Sequence, residues 1–247
     1  MQRVLILGGT TDAYTLAAQT TKIPDVEIIT SLAGRTRQPI IPTGEFRIGG
    51  FGGETGLVEY LRQMQIDVLI DATHPFAAQI SENATNSANK IGIPYLMLVR
   101  PAWERVEGDN WLEVESIEAA ATSLENQTER VFLTIGRQEL TAFAHLHHIW
   151  FLMRMIDPPT DDAIVPQGEI LCDRGPFSLD NEREILQKYK IHTIVSKNSG
   201  GNATYPKIIA ARELGIKVVM VKRPKMPPGE KVADIDSAIA ILMEKLS

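Results

Sequence analysis

The sequence contains almost no cysteine and no excess of basic residues. Cys172 is the single cysteine among 247 residues, which excludes an internal disulfide and a zinc site built from clustered thiolates. A chain without disulfides fits a reducing compartment, so we predict a cytoplasmic protein. The formal net charge of -6 argues against a nucleic-acid partner, because non-specific binders normally carry a basic face. A small anionic ligand stays compatible with this charge, since a few local Arg and Lys side chains can form a positive pocket.

Long hydrophobic runs are also absent. The apolar runs at 4–7 and 218–221 are only strand-sized, far shorter than a membrane span or the core of a signal peptide. Hydrophobic residues make up 44% of the chain and charged residues 23%, which is ordinary for a soluble globular protein. We therefore predict that the protein has no membrane partner.

Short apolar strands alternate with amphipathic helices through most of the chain. The first round includes strands at 3–7 and 26–30, and a second round begins at 131–135 after a looser stretch. This alternation predicts the α/β class, with mostly parallel sheets covered by helices on both faces. Two rounds predict two Rossmann-like domains with a cleft between them, and the polar segment 125–130 is the best candidate linker. The predicted domains are residues 1–127 and 128–247.

A glycine turn follows the first predicted strand and opens the first predicted helix. Free backbone N–H groups and the helix dipole at such a turn can hold the pyrophosphate of a dinucleotide. The sequence at 8–13 matches the G-x-G-x-x-G pattern imperfectly, because Thr10 and Ala13 stand where glycines are usual. A purely structural turn therefore remains the alternative. The candidate cofactor-binding residues of this turn are Gly8, Gly9, Thr10, Thr11 and Asp12.

The end of the second predicted strand indicates which dinucleotide would bind. An NAD-selective fold usually has an acidic residue there, which binds the ribose 2′-hydroxyl. This chain instead has Ser31, followed by Arg35 and Arg37, and hydroxyl and guanidinium groups suit a 2′-phosphate. We therefore predict NADPH as the cofactor, with NADH left open, and an exposed basic loop is the alternative interpretation. Gly50, after the third predicted strand, is expected to line the same groove.

The loop after the fourth predicted strand would lie near the nicotinamide ring. It reads Asp-Ala-Thr-His-Pro-Phe at 71–76, and Thr73 is predicted to contact the cofactor. His74 is a candidate catalytic proton donor, because histidine exchanges a proton near neutral pH. A histidine that only hydrogen-bonds the loop is the alternative.

The loops that follow strands in the second half are rich in cations and glycine. Guanidinium groups bind carboxylates at two points, and helix N-termini bind them through backbone N–H groups. Convergence of these loops would form a pocket for a molecule with several carboxylates, whereas surface salt bridges are the alternative. The candidate substrate-binding residues are Arg137, Arg174, Lys197, Ser199 and Gly200.

One cluster of histidines stands apart from these loops, at His145, His147 and His148. Its spacing differs from H-E-x-x-H and no cysteine is nearby, so we predict no metal site. The sequence also lacks the G-x-x-x-x-G-K-[ST] and G-x-S-x-G patterns, which argues against phosphoryl transfer and against a nucleophile-elbow hydrolase.

Five segments of the chain form a recognisable series. Two of them are the glycine turn at 8–13 and Ser-x-Ala-Gly-Arg at 31–35. The more specific three are His-Pro-Phe-Ala at 74–77, Arg-Gly-Pro-Phe at 174–177 and Ser-Lys-Asn-Ser-Gly-Gly at 196–201. Taken together and in this order, the five segments resemble the precorrin-6A reductase family, which includes the cobalt-precorrin-6A reductases. The resemblance extends over nearly the whole chain.

The resemblance implies an NAD(P)H-dependent oxidoreductase that acts on a CH–CH group in cobalamin biosynthesis. Its substrate would be an acidic tetrapyrrole, precorrin-6A or its cobalt form, and the sequence leaves this choice open. The resemblance also implies that the first half holds the cofactor and that loops of the second half bind the acetate and propionate arms of the substrate. Neighbouring enzymes of the cobalamin pathway are candidate partners.

Two other functions stay open at this point. A short-chain-type NAD(P)-dependent oxidoreductase would act on an alcohol or ketone, normally through Tyr-x-x-x-Lys, but none of the five tyrosines has a lysine four residues on. A non-catalytic NADPH-sensing protein would bind the cofactor without turnover. The cation-rich second half argues for a further anionic ligand and therefore against simple sensing.

Overall fold

The computed structural model describes residues 1–125 and 128–247, and these residues form two compact α/β units. Unit 1 consists of Met1–Pro101 and Pro224–Ser247, and unit 2 consists of Ala102–Arg223. The predicted linker at 125–130 falls partly outside the described residues, because 126 and 127 are not among them.

Each unit contains strands and helices in alternation, as the pattern predicts. The strands are β1 (Gln2–Leu7), β2 (Val26–Leu32), β3 (Glu45–Ile48), β4 (Val68–Asp71), β5 (Tyr95–Leu98), β6 (Trp111–Val114), β7 (Arg130–Thr134), β8 (Trp150–Met155), β9 (Gly168–Cys172), β10 (Thr193–Lys197), β11 (Lys217–Val221) and β12 (Glu230–Val232). The α-helices are α1 (Thr11–Thr20), α2 (Gly53–Gln63), α3 (Ala78–Ile91), α4 (Ile117–Leu124), α5 (Leu179–Lys188), α6 (Pro206–Glu213) and α7 (Ile235–Leu246). A 3-10 helix, Arg137–Phe143, follows β7. Among the described residues, no helix is long and apolar enough to cross a membrane.

Both units share one strand order. The sheet of unit 1 runs β12-β5-β4-β1-β2-β3, and the sheet of unit 2 runs β6-β11-β10-β7-β8-β9. The paired strands of the described chain are parallel in both sheets. With β1 taken as the first strand, the sheet of unit 1 has the 3-2-1-4-5-6 order of the Rossmann fold. The sheet of unit 2 has the same arrangement counted from β7, except that its sixth position is filled by β6, which precedes β7 in the chain. The predicted α/β class with two Rossmann-like units is confirmed.

The sixth strand of each sheet comes from a distant part of the chain. β6 pairs with β11, with Trp111 opposite Val218, although β6 precedes the rest of unit 2. β12 pairs with β5, although it is the last strand of the sequence. The division into units therefore differs from the predicted domains 1–127 and 128–247, because the chain passes between units at 101–102 and returns at 223–224. An outer strand is placed by its pairing with a sheet edge, which a local pattern does not record.

Successive residues of the unit 1 strands face opposite sides of the sheet. Val4 and Ile6 pack with α1 and α7, whereas Leu5 and Leu7 pack with α2 and α3. Both faces are covered, which explains why β1 reads as a continuous apolar run rather than as an alternating one. Burying one such aliphatic side chain contributes about 1.5–3 kcal/mol.

The core of unit 2 is built in the same way. Phe132, Leu152, Ile194 and Met220, from four neighbouring strands, pack with α5 and α6. α4 packs against the 3-10 helix. The unit thus holds its central strands rigidly, and the loops at the strand ends start from fixed positions.

The strand order reverses between β1 and β4 in unit 1 and between β7 and β10 in unit 2. Connections that leave neighbouring strands in opposite directions open a crevice at the carboxyl ends of these strands, where ligands bind in this fold. The residues after β1 and β4, and those after β7 and β10, are therefore the first places to examine for function.

Candidate functional site

The glycine turn of unit 1 is held in place by Thr10. Thr10 is the N-cap of α1, and its Oγ1 accepts a hydrogen bond from the Ala13 N–H at 3.1 Å. The same hydroxyl donates a hydrogen bond to the Ala72 carbonyl at 2.7 Å, and the side chain is buried. These bonds tie the turn after β1 to the loop after β4. The Thr10 side chain is therefore committed to fixing the turn, which leaves backbone N–H groups to meet an anion.

The two glycines keep the turn close-packed on one side and open on the other. A Cβ on Gly8 would lie 3.0 Å from Cγ2 of Thr30, so Gly8 allows the turn to pack against β2. Gly9 has a φ of 105°, and a Cβ there would meet no atom within 4 Å. Thr11, the first residue of α1, is exposed. Open space beside the start of a helix fits the pyrophosphate of a dinucleotide.

Asp12 forms an ion pair with Arg100 at the start of α1. The distance from Asp12 Oδ2 to Arg100 Nη1 is 2.8 Å, and both side chains are partly buried. An acidic residue in the first turn of a helix stabilises the helix dipole but would repel a pyrophosphate, and the guanidinium offsets that repulsion. Arg100 is not among the predicted residues, although it lies just after β5 and the predicted site residues were also chosen because they follow strands.

Ser31 has an arginine partner, Arg47, and the predicted binding of the cofactor by Ser31 and Arg35 stays a prediction. Arg47 lies opposite Ser31 on β3, and its Nη1 donates a hydrogen bond to the Ser31 Oγ at 2.8 Å. Its Nη2 donates to the carbonyl of Gly50 at 3.1 Å. Arg35 is exposed in the loop that follows β2. The sequence alone does not indicate Arg47, because its position opposite Ser31 depends on the pairing of β2 with β3.

The loop after β4 is organised around the buried carboxylate of Asp71. Its Oδ1 accepts hydrogen bonds from the Thr73 N–H at 2.9 Å and from the Thr73 Oγ1 at 2.6 Å, and its Oδ2 accepts one from the Tyr95 hydroxyl at 3.2 Å. Burial, and then the charge of Asp71, raise the pKa of Tyr95. The Thr73 side chain thus fixes the loop, and its contact with a cofactor stays a prediction.

His74 also contributes to the geometry of this loop. Its Nδ1 accepts a hydrogen bond from the Phe76 N–H at 3.2 Å, and the two rings lie 5.8 Å apart between centroids. A neutral ring with Nδ1 as the acceptor carries its proton on Nε2. The loop-fixing interaction is therefore present, and Nε2 is the nitrogen that could donate a proton.

In unit 2, the predicted cation Lys197 is paired with Glu139. The Lys197 Nζ lies 2.5 Å from Glu139 Oε1, and both side chains are partly buried. Lys197 ends β10 and Glu139 follows β7, so the pair spans the point where the strand order reverses. Within the described parts of the chain, Glu139 Oε2 is buried without a hydrogen-bond partner. Glu139 is not among the predicted residues, and it neutralises a cation expected to bind a carboxylate.

The two predicted arginines of unit 2 lie in different surroundings. Arg137 begins the 3-10 helix, and its Nη1 donates a hydrogen bond to the Pro158 carbonyl at 3.3 Å. Arg174 is exposed, and its backbone N–H donates to Asp173 Oδ1 at 2.7 Å. The role of both guanidinium groups in substrate binding stays a prediction.

The loop after β10 is fixed by Trp103. Asn198 exchanges two hydrogen bonds with the Trp103 backbone: its Oδ1 accepts from the N–H at 2.8 Å, and its Nδ2 donates to the carbonyl at 2.9 Å. The indole Nε1 of Trp103 donates to the Gly201 carbonyl at 2.8 Å. Paired bonds of this kind hold the loop in one conformation.

The predicted residues Ser199 and Gly200 belong to this fixed loop. Ser199 is buried, and its N–H donates a hydrogen bond to the Lys197 carbonyl at 2.8 Å. Gly200 and Gly201 have φ values of 67° and 73°, a left-handed conformation that favours glycine. The backbone conformation therefore explains why glycine stands at both positions. Ligand binding at Ser199 and Gly200 stays a prediction.

A buried cluster of charges in unit 2 was not foreseen from the sequence. Arg154 and Glu182 form an ion pair with side chains 4% and 0% exposed. Lys207, 3% exposed, donates a hydrogen bond to the Thr204 carbonyl at 3.1 Å and lies 4.8 Å from the centre of the Trp103 ring. Burial, and then the positive charge of Arg154, lower the pKa of Lys207 from 10.5 to about 7.

The histidine cluster lies apart from these loops. His145, His147 and His148 are exposed in the turn before β8. Over 1–125 and 128–247, no group of three or more His, Cys, Asp or Glu side chains could hold a metal ion.

Two parallel sheets with the strand arrangement of the Rossmann fold, one of them with a glycine turn where the order reverses, define a Rossmann-like α/β protein of the dinucleotide-binding type. The family model described as "Precorrin-6x reductase CbiJ/CobK" matches residues 3–243. The chain belongs to this family of reductases. The resemblance found from the sequence motifs is therefore confirmed.

Individual relatives agree with the family. The chain is 48% identical to "Precorrin-6A reductase" of Rhodococcus erythropolis, over 97% of both chains. It is 30% identical to "Cobalt-precorrin-6A reductase" of Methanothermobacter thermautotrophicus, over 90% of this chain and 77% of the relative. The solved structure of "CobK precorrin-6A reductase" is 38% identical and superposes with a TM-score of 0.94, over 99% of this chain and 97% of that chain. Membership of this family makes the chain an oxidoreductase that acts on a CH–CH group, and it implies a nicotinamide cofactor.

Proposed function

We propose that this protein reduces one double bond of the precorrin-6A macrocycle with NADPH, as a step of cobalamin biosynthesis. Family membership supports the reaction class. The observation that carries the proposal is the glycine turn at the β1–β4 switch point of unit 1, which offers open space and free helix N–H groups to a dinucleotide. Unit 1 thus binds the cofactor, and unit 2 binds the tetrapyrrole.

The cofactor, when bound, supplies a hydride to one carbon of the macrocycle double bond. The backbone at Gly8, Gly9 and Thr11 is proposed to hold the pyrophosphate, with Gly50 lining the groove. Ser31 stands where an NAD-selective fold usually has an acid, which favours NADPH over NADH. The protein residues then bind and orient, because the reducing electrons come from the cofactor.

The proton for the neighbouring carbon is proposed to come from the Nε2 of His74 in its doubly protonated form. Nδ1 must therefore bind a proton and give up its hydrogen bond from the Phe76 N–H, and the transfer leaves a neutral ring. The change His74→Asn tests this, since the asparagine Oδ1 can still accept the Phe76 N–H while no acidic proton remains. We expect kcat to fall by about 100-fold or more, the usual contribution of a general acid, with NADPH affinity unchanged. A matched change at the exposed His148 serves as the control. If kcat stays within about threefold of wild type, His74 only fixes the loop.

The cations of unit 2 are proposed to bind the carboxylate arms of the substrate. Lys197 is the best placed of them, because it ends a central strand at the switch point. Its present partner is the carboxylate of Glu139, so a substrate carboxylate would take the place of that group. Arg137 and Arg174, with the loop at Ser199 and Gly200, are proposed to contribute further contacts.

Metal-free precorrin-6A is the proposed substrate, because the relative with that name is 48% identical whereas the relative named for the cobalt form is 30% identical. The test is NADPH oxidation, followed by absorbance, with each of the two precursors supplied separately. We expect faster turnover of the metal-free form. NADPH binding without turnover of either precursor would instead support a sensing role.

A cytoplasmic location and contacts with neighbouring enzymes of the cobalamin pathway are part of the same proposal. The location rests on the single cysteine, Cys172, which is exposed and free. Fractionation of producing cells, followed by crosslinking of the fraction that contains the protein, tests both statements.

A further inference from the structure

Arg47 is held in a fixed position at the carboxyl ends of β2 and β3. Its Nη1 donates hydrogen bonds to the Ser31 Oγ at 2.8 Å and to the Gly49 carbonyl at 2.9 Å, and its Nη2 donates to the Gly50 carbonyl at 3.1 Å. The guanidinium group has five N–H donors, and these bonds use three of them. The hydrogen bonds of Arg47 within the described residues do not use the Nε–H or the second Nη2–H, so these two donors can bind a ligand.

Two aromatic rings support the same guanidinium group. Its central carbon lies 4.0 Å from the centroid of Phe51 and 5.0 Å from that of Tyr60. The two rings pack edge to face at 5.2 Å, so they form one platform. A guanidinium stacked on aromatic rings loses little further freedom when it binds a ligand, because its orientation is already set.

The positive charge of Arg47 is not neutralised by an acid within the described part of the chain. Its hydrogen-bond acceptors are a hydroxyl and two carbonyls, in contrast to Arg100, which pairs with Asp12. The group therefore presents a net positive charge beside a serine hydroxyl. A phosphate monoester is the ligand that suits a planar fork of N–H donors with an adjacent hydroxyl.

We propose that Arg47, together with Ser31, recognises the 2′-phosphate of NADPH and so selects NADPH against NADH. The β2 end of a Rossmann sheet is where the ribose of the adenosine lies, which places the 2′-position at Ser31 and its partner. The inference rests on the proposed function in one respect, namely that a nicotinamide dinucleotide binds to unit 1. It reassigns to Arg47 the role expected of Arg35.

The test measures binding rather than turnover. Dissociation constants for NADPH, NADH and adenosine 2′,5′-bisphosphate are determined by calorimetry on wild type, Arg47→Gln and Arg47→Lys. We expect Arg47→Gln to weaken NADPH and the bisphosphate by about 10- to 100-fold, the scale of a charge-assisted hydrogen bond, with NADH changed by less than about twofold. Arg47→Lys restores part of the loss, because it keeps the charge without the fork. The preference for NADPH in wild type should also fall as salt is raised.

Two arginines serve as controls for the loss of one positive charge. Arg35→Gln tests the alternative residue, and Arg62→Gln removes an exposed guanidinium on α2. Both should leave the ratio of NADPH to NADH affinity unchanged.

The outcomes separate the two proposals. Unchanged NADH binding in Arg47→Gln shows that the site is intact, so a selective loss of NADPH supports the inference. Equal loss of both cofactors overturns it, since Arg47 would then only shape the groove. Selective loss in Arg35→Gln overturns it as well. If wild type binds neither cofactor, the proposed function itself is wrong.

Discussion

Replacing Lys207 by methionine should stabilise unit 2 in a way that depends on pH. The ammonium group of Lys207 is buried, and burial together with Arg154 lowers its pKa from 10.5 to about 7. The carboxylate of Glu182 opposes this effect but is already paired with Arg154. Met has a similar volume and carries no charge, so the change removes the cost of burying the amine while largely retaining the packing.

The sign and size of the effect follow from proton linkage. Between pH 7 and 10.5 the unfolded chain keeps the Lys207 proton and the folded chain loses it, so the free energy of unfolding of wild type rises with pH. The destabilisation is complete below pH 7 and absent above 10.5. A shift from 10.5 to about 7 corresponds to about 5 kcal/mol, at about 1.4 kcal/mol per pKa unit. The advantage of Lys207→Met over wild type should therefore be largest near pH 6.5 and shrink as pH rises.

Tryptophan fluorescence provides an assay that reports on unit 2. The three tryptophans of the chain, Trp103, Trp111 and Trp150, belong to this unit. Denaturant unfolding of wild type and Lys207→Met at pH 6.5, 8 and 9.5 gives the difference between them, and other titrating groups cancel in that difference. Lys188→Met, at an exposed position of α5, is the matched control. A difference that stays constant over this pH range would refute the reasoning, because the ammonium would then bear no burial penalty.

Three further predictions concern ligand binding. Thr11→Glu should weaken both NADPH and NADH by about tenfold or more, because charges about 4 Å apart near a surface repel by about 1–4 kcal/mol, while an acid in the first turn leaves α1 stable. Gln19→Glu, at the exposed far end of the same helix, is the control in calorimetry, and equal effects of both changes would argue against a phosphate at the turn. Lys197→Ala should raise the KM for the tetrapyrrole several-fold with NADPH affinity unchanged, whereas Glu139→Gln should lower KM because it removes the carboxylate that competes with the substrate for the lysine. Steady-state kinetics decides this, and a higher KM in Glu139→Gln would mean that Glu139 orients Lys197 for the substrate. The same kinetics on Arg174→Ala should show a raised KM that grows with salt.

The sequence by itself determined the fold class and the family. β1 is apolar at each position from Val4 to Leu7 because both faces of its sheet are covered, so the alternation of such strands with amphipathic helices leads to parallel sheets. The glycine turn can also be predicted from the sequence, because a strand end, small residues and a helix start follow one another directly in the chain. The motifs at 74–77, 174–177 and 196–201 are contiguous too, and they sufficed for the family.

The tertiary structure alone decided the division of the chain and the partners of the charged side chains. β6 and β12 are short strands whose sheet is chosen by pairing with β11 and β5, more than 100 residues away, and no local spacing encodes that choice. The hydrogen bond between Arg47 and Ser31 follows from strand pairing for a similar reason, whereas the sequence indicated Arg35 as the arginine near Ser31 that binds the cofactor. Arg35 is nearer in sequence, but the pairing of β2 with β3 brings Arg47 directly opposite the serine. Long side chains meet across strands and helices, so their ion pairs and hydrogen bonds follow from packing rather than from order along the chain.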